Sequence, residues 1–242
     1  MDLNVDLSAE ALAETIPARP LRFYPALLST DSDATAWARA GAPEGALVVA
    51  GYQASPRGRS GVYWKVDHEN DLAFSLVLRP KLPALREGWM YTVSTSGLAD
   101  SFGDQARIEW PDEIYLGQER VGAVGVQAGL GPAGIDWAVI TVHVVGVPHP
   151  RAQRLKRVVD AVEARYRSAD EEVLRDYLAR CRTIGRRVVA RLIPLGPAGP
   201  TLRGEAVGSL PDGGLVLVNE QGNRVVVRPQ GLGLLDDADD TP

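Results

Sequence analysis

One cysteine in 242 residues, Cys181, leaves no partner for an internal disulfide and suits a reducing compartment. The three histidines, His68, His143 and His149, make no metal-ligand spacing with Cys, Asp or Glu. No apolar run approaches the roughly 20 residues that span a bilayer. Met1–Asp6 has neither the basic region nor the apolar core of a secretory signal. Positive charge is not in excess either, with 26 Lys and Arg against 31 Asp and Glu and a net charge of −5. Bulk electrostatics therefore give no case for nucleic acid. Together these absences predict a soluble, cytoplasmic protein with no nucleic-acid or membrane partner.

What is present reads as one sizeable α+β domain followed by a small β module. Residues 1–20 are acidic, end in Pro17 and Pro20, and predict a loosely held arm. Leu21–Tyr24 starts a strand that Pro25 bends or ends. Asp31 or Ser32 N-caps a short helix that Gly41 stops. Leu72, Phe74, Leu76 and Leu78 alternate along a strand. Pro83 opens a helix to about Asp100, with Leu85, Trp89, Val93 and Leu98 toward the core, although Gly88 and Gly97 weaken it. Strands follow at 107–110, 114–116, 120–127 and 135–145. After Pro150, Leu155, Val158, Val159 and Val162 recur at helical spacing. Ser168 and Glu171 match a capping box that begins a second helix, ended by Gly185. The expected core is thus 1–184, a mixed sheet with helices on one side. Residues 186–242 read as short strands joined by Asp212-Gly213-Gly214 and Gln221-Gly222-Asn223 turns, a small SH3-like barrel with a solvated acidic tail.

Two segments carry chemistry. The first runs from Gly51 to Trp64 after the apolar strand Ala46–Ala50. In it Arg57 and Arg59 flank Gly58, where a backbone without a Cβ can approach a ligand. Guanidinium forks suit phosphate or carboxylate. The bland alternative is an exposed Arg-Gly turn. The second is Glu109-Trp110-Pro111-Asp112-Glu113, whose tryptophan reads equally as core. His143, between valines, reads as a buried hydrogen-bonded histidine rather than a general base. Cys181, late in a helix, reads as structural.

The order of these segments resembles the biotin protein ligases of the wider biotin/lipoate ligase superfamily. The Tyr52–Trp64 loop is similar to their Gly-Arg-Gly-Arg segment, Trp110–Glu113 to their Trp-Pro-Asn-Asp motif, and Gly204–Val227 to their C-terminal barrel. The resemblance covers residues 21–235, without the N-terminal DNA-binding domain that some members carry. It implies ATP-dependent activation of a biotin- or lipoate-type acid to an acyl-adenylate, with Mg²⁺, and transfer to a carrier-protein lysine; a homodimer is compatible with it. By the same resemblance Gln53, Arg57, Gly58, Arg59, Gly61, Trp64, Trp110, Glu113 and Ser32 bind substrate or adenylate. Arg120 stands where the family has a catalytic lysine; the only lysines are Lys65, Lys81 and Lys156.

Four motifs depart from the family. Arg120 keeps the charge but not the shape of lysine. Asp112-Glu113 replaces Asn-Asp, and Ser32-Asp33-Ala34 stands for the Ser-Thr-Asn signature. Thr141–Val145 puts bulk where the family's strand is glycine-rich. Three readings stay open: a divergent ligase, an acyl or acyl-adenylate binding protein on the same fold, and an acyltransferase with a nucleophile that the sequence does not locate.

Overall fold

The structure, a computed structural model, describes residues 5–196 and 198–238. Its first layer is a seven-stranded mixed sheet. The strands are β1 (Leu21–Leu27), β2 (Leu47–Gln53), β3 (Leu72–Leu78), β4 (Ala106–Glu109), β5 (Glu113–Leu116), β6 (Glu119–Gly131) and β7 (Gly134–Val144). Their order is β1-β2-β3-β7-β6-β5-β4. Only β1 and β2 run parallel; the other pairs are antiparallel. Pro25 neither bends β1 out of the sheet nor ends it. At a sheet edge a missing N–H costs no ladder bond.

The helices are α1 (Ala9–Thr15), α2 (Thr30–Arg39), α3 (Trp89–Asp100), α4 (Arg151–Arg167) and α5 (Asp170–Arg180). Side chains alternate across the sheet, and the two faces take different partners. Leu72, Phe74, Leu76 and Leu78 of β3 and Ala138, Ile140, Val142 and Val144 of β7 share the main core with Leu98, Leu155, Val158 and Val162. Val77, Trp137 and Val139 point the other way, onto Ala34 and Ala38 of α2. Helices therefore flank both faces, not one. Because both faces are covered, β3 and most of β7 are buried throughout.

Three local expectations are corrected. The N-terminal segment is not loosely held: Leu7, Leu12 and Ile16 enter the main core, and Asp6 pairs with the buried Arg151 at 2.9 Å. Ser168 does not open α5. It ends α4, donating to the Ala164 carbonyl at 3.1 Å, and Ala169 takes the N-cap position. The helix expected from Pro83 starts only at Trp89, leaving Leu85 exposed. Gly97 is there for packing, because a Cβ would lie 2.4 Å from Val162 Cα of α4.

Residues from Arg187 on form a five-stranded antiparallel sheet, ordered β11-β10-β9-β8-β12, consistent with an SH3-like unit. Its strands are β8 (Arg187–Leu192), β9 (Thr201–Ser209), β10 (Leu215–Val218), β11 (Arg224–Val227) and β12 (Leu232–Asp237). The two expected turns join β9 to β10 and β10 to β11. The acidic tail is only partly a solvated terminus. Asp236 and Asp237 belong to β12 and pair with Arg191 and Arg186, while Asp239 and Asp240 lie outside the described residues.

Candidate functional site

The α2 face of the sheet carries a polar patch in the middle of apolar packing. Cross-strand rows on β3, β7 and β6 are Ala73–His143–Ala123, Ser75–Thr141–Gly125 and Val77–Val139–Gln127. Hydroxyls meet at the centre: Ser75 Oγ is 2.9 Å from Thr141 Oγ1 and donates to Thr30 Oγ1 at 3.0 Å. The Thr30 amide donates to Gln53 Oε1 at 2.8 Å, and Gln53 Nε2 donates to the Ala73 carbonyl at 3.2 Å. Gln127 Nε2 donates to Asp31 Oδ2 at 2.9 Å, and Thr35 donates to Gln127 Oε1. Ser29 donates to the other Asp31 oxygen. Buried polar groups persist only when bonded, and here seven buried ones fall into two hydrogen-bonded groups, Thr30–Gln53–Ser75–Thr141 and, through the exposed Gln127, Ser29–Asp31–Thr35.

Ser29 caps α2 and Thr30 begins it, two to three residues earlier than the sequence suggested. Thr30 and Asp31 therefore turn inward while Ser32 is exposed, touching only Asp31 Oδ1 at 3.4 Å. Thr30, Asp31, Ser75, Gln127 and Thr141 were missed. The available signal was polar residues beside or inside apolar runs, Leu-Ser-Thr-Asp at the start of α2 and the lone Ser75 in β3.

The loop after β2 lies over this patch. Its turn is closed by the Gly58 amide donating to the Val62 carbonyl at 2.8 Å, with Ser60 and Gly61 at positive φ. Two glycines let it lie flat. A Cβ on Gly125 would be 3.0 Å from Gly58 carbonyl carbon, and one on Gly58 would strike the Trp64 ring at 2.3 Å. Trp64, buried, stacks on His143 with centroids 5.5 Å apart.

The two arginines of the loop part ways. Arg57 is exposed and reaches only Ser55. Arg59 turns inward: its Nε lies 3.1 Å from Asp112 Oδ2, and its Nη atoms donate to the Leu232 and Gly233 carbonyls of β12. Ser60 also donates to the Leu232 carbonyl. Burial pushes the Asp112 carboxyl up to about 6, with the Glu113 charge adding to it and Arg59 and Arg120 opposing.

Between this loop, the Trp110–Glu113 segment and β12 is a cavity of about 270 Å³. Five of the expected residues, Arg59, Trp64, Trp110, Glu113 and Arg120, line it, together with Lys65 and Glu109. Arg120 donates to Glu113 Oε1 at 3.0 Å, and Tyr115 donates to Oε2 at 3.0 Å. Burial, then the Glu113 charge, raises the Tyr115 phenol to about 12. Trp110 serves the core as well: its Nε1 donates to the Gly213 carbonyl at 2.9 Å and its amide to Thr183. Gln53 and Gly58 sit in the patch and its cover, and Gly61 is exposed on the turn.

Cys181 is buried at the end of α5, and burial raises its thiol, the opposite of what a nucleophile needs. Among the described residues no group of three His, Cys, Asp or Glu side chains is arranged to hold a metal ion, and no helix is long and apolar enough to cross a membrane.

No family model matches the chain. The bifunctional ligase/repressor BirA of Bacillus subtilis is 32% identical over 116 residues, 46% of this chain and 36% of that protein. The chain's match thus spans about a third of that relative's length. The biotin--[acetyl-CoA-carboxylase] ligase of Mycobacterium tuberculosis is 27% identical over 225 residues, 82% of this chain and 83% of that one. Among solved structures, the biotin protein ligase of Aquifex aeolicus in complex with biotin and ATP superimposes with a TM-score of 0.67 at 20% identity, covering 90% of this chain and 99% of that one.

Proposed function

We propose, for a chain with the fold of solved biotin protein ligases, that it joins a biotin-type acid to ATP as an acyl-adenylate and passes the acyl group to a lysine of a carrier protein. The carrying observation is the juxtaposition under one loop: a patch of buried hydroxyls and the Gln53 amide, edged by the exposed Gln127, on one side, and a cation-lined cavity on the other. The patch suits a cyclic urea, which both donates and accepts hydrogen bonds, better than the dithiolane of lipoate or the methyl end of octanoate.

In this reading the acid's head lies on Thr30, Gln53, Ser75, Gln127 and Thr141, and its carboxylate emerges beneath Arg59. A carboxylate oxygen attacks the α-phosphorus of ATP and pyrophosphate leaves. The amine of a carrier lysine then attacks the acyl carbon, AMP leaves, and the amine loses its proton to solvent. No bond to the enzyme forms, so catalysis consists of positioning and of positive charge around the reacting oxygens. Arg120, Lys65 and Arg59 supply that charge. The cavity's carboxylates do not make a cage for Mg²⁺: Asp112 is held by Arg59, Glu113 by Arg120, and Glu109 by Arg182 and Arg186. The ion therefore enters as part of the nucleotide, which matches its habit of keeping waters and phosphate ligands.

A second reading, binding without turnover, is favoured by those same pairs, since three carboxylates balance the three cations lining the cavity. One assay separates the two. Pyrophosphate release from Mg-ATP is followed with biotin, lipoate or octanoate, alongside calorimetric binding of each acid. Release that requires biotin supports the ligase; binding of biotin without release supports the second reading. Failure of all three acids to bind refutes both.

A further inference from the structure

His143 is the one buried histidine of the chain's three, 1% exposed in the middle of β7. Its Nε2 lies 2.8 Å from Asp71 Oδ2. Asp71 is itself held by the Gly146 amide at 3.0 Å and the Asp67 amide at 3.0 Å. Burial works against the Asp71 carboxyl, but His143 and these two amides hold it below the ordinary carboxylate value. An ionised carboxylate only accepts, so Nε2 carries a proton, and in the neutral form of the ring Nδ1 is then a bare acceptor. Nδ1 is buried and has no hydrogen-bond partner among the described residues.

An orphan of this kind costs stability, and its place in the fold gives a reason for keeping it. His143 lies on the same face as Thr141, one row along from the Ser75–Thr141–Gly125 row, opposite Ala73, whose carbonyl takes Gln53 Nε2. Adjacent rows of one face put side chains within about 7–8 Å of each other. The roof over the ring is Trp64 of the covering loop, so the loop that covers the patch covers His143 as well. Asp71 fixes the ring's orientation and its tautomer, which leaves Nδ1 able to take a hydrogen bond from a ligand donor.

We propose that His143 is a specificity-determining residue whose Nδ1 accepts a hydrogen bond from an N–H group of the acid, selecting cyclic ureas and related N–H donors over acids that end in sulfur or hydrocarbon. This rests on the reading of the polar patch as the acyl site. Asp71 is then a positioning residue that acts through His143. Entry requires the loop to lift, because in the closed arrangement Gly58 rests on Gly125 and Trp64 covers the ring.

The test is equilibrium binding of biotin, lipoic acid and octanoic acid to the wild type and to His143→Phe, which keeps an aromatic ring under Trp64 and removes both nitrogens. Biotin affinity should fall about 10–100-fold, the range of one buried hydrogen bond lost with its donor stranded. Any affinity for octanoic acid should hold or rise. In wild type uniformly labelled with ¹⁵N, the Nδ1 resonance of His143 should move upfield on adding biotin and stay in place on adding octanoic acid. This readout serves even if His143→Phe fails to fold. Equal biotin affinity in wild type and variant, or an Nδ1 resonance unmoved by bound biotin, overturns the assignment while leaving the acyl site standing. Wild type that binds none of the three acids overturns both.

Discussion

Replacing Arg59 by alanine tests whether the loop is a surface feature or a structural tie. The guanidinium is largely withdrawn from water, as is its partner, with side-chain exposures of 11% for Arg59 and 12% for Asp112. Removing it strands a buried carboxylate and frees the Leu232 and Gly233 carbonyls. Breaking one side of a buried pair costs about 3–5 kcal/mol. Solvent reaching the vacated space rehydrates part of it, so we expect about 2–4 kcal/mol, or a fall in Tm of about 5–15 °C for a chain of this size. Arg57→Ala, an exposed residue bonded only to Ser55, should stay within about 0.5 kcal/mol. The pH dependence gives a second constraint. The Asp112 carboxyl is raised from 3.8 to about 6, so in the folded protein it holds its proton at pH values where the unfolded chain has lost it. That favours folding at low pH, and the advantage is lost as pH rises through about 6. Without Arg59 the carboxyl rises further. The penalty of Arg59→Ala should therefore be largest above pH 7 and shrink as pH falls below 6, where Asp112 is neutral and no stranded charge remains. Thermal and urea unfolding of both variants at pH 5 and pH 8 measures this. Equal stability of Arg57→Ala and Arg59→Ala, or a penalty independent of pH, would refute the argument.

Two other outcomes are expected. Arg120→Ala should slow adenylate formation by about 10²–10³, the usual cost of one preorganised donor, with little change in acid binding; Arg120→Lys should keep or raise the rate, and pyrophosphate release reads both. Leu12→Ala should cost about 2–5 kcal/mol in urea unfolding, because the N-terminal helix packs its fully buried leucine into the main core; a smaller loss than 1 kcal/mol would mean the segment is dispensable.

The order of strands and helices from Leu21 onward was legible because it depends on periodicity and on turn residues, which are local. The loop and the Trp-Pro segment were legible too, and four of their expected residues, Arg59, Trp64, Trp110 and Glu113, meet at one cavity with Arg120 of β6. The patch beneath the loop was not. Ser75, Thr141 and Gln127 lie on three strands brought together by a β3-β7-β6 order that no single window of sequence contains. Arg57 and Arg59 look equivalent along the chain, and only the turn at Ser60 and Gly61 decides which one faces Asp112. The start of α2 was misplaced because Ser29, Asp31 and Ser32 are all competent caps. Burial against Ser75 and Gln53 selects the earliest. The N-terminal arm misled through its prolines and charge, since its core contribution rests on Leu7, Leu12 and Ile16, spaced too sparsely to show as a stripe.

The grip of Arg59 on the Leu232 and Gly233 carbonyls ties the loop to the edge strand of the small sheet. On the proposed function, a nucleotide phosphate in the cavity would compete for the same guanidinium, so its capture and the docking of β12 would draw on one resource. Such an exchange is reciprocal: the factor by which the small sheet weakens nucleotide binding equals the factor by which nucleotide loosens the small sheet. On that reading the C-terminal sheet would set the concentration of nucleotide at which the loop lets go, and residues that hold β12 against β8 would tune that threshold without touching a ligand.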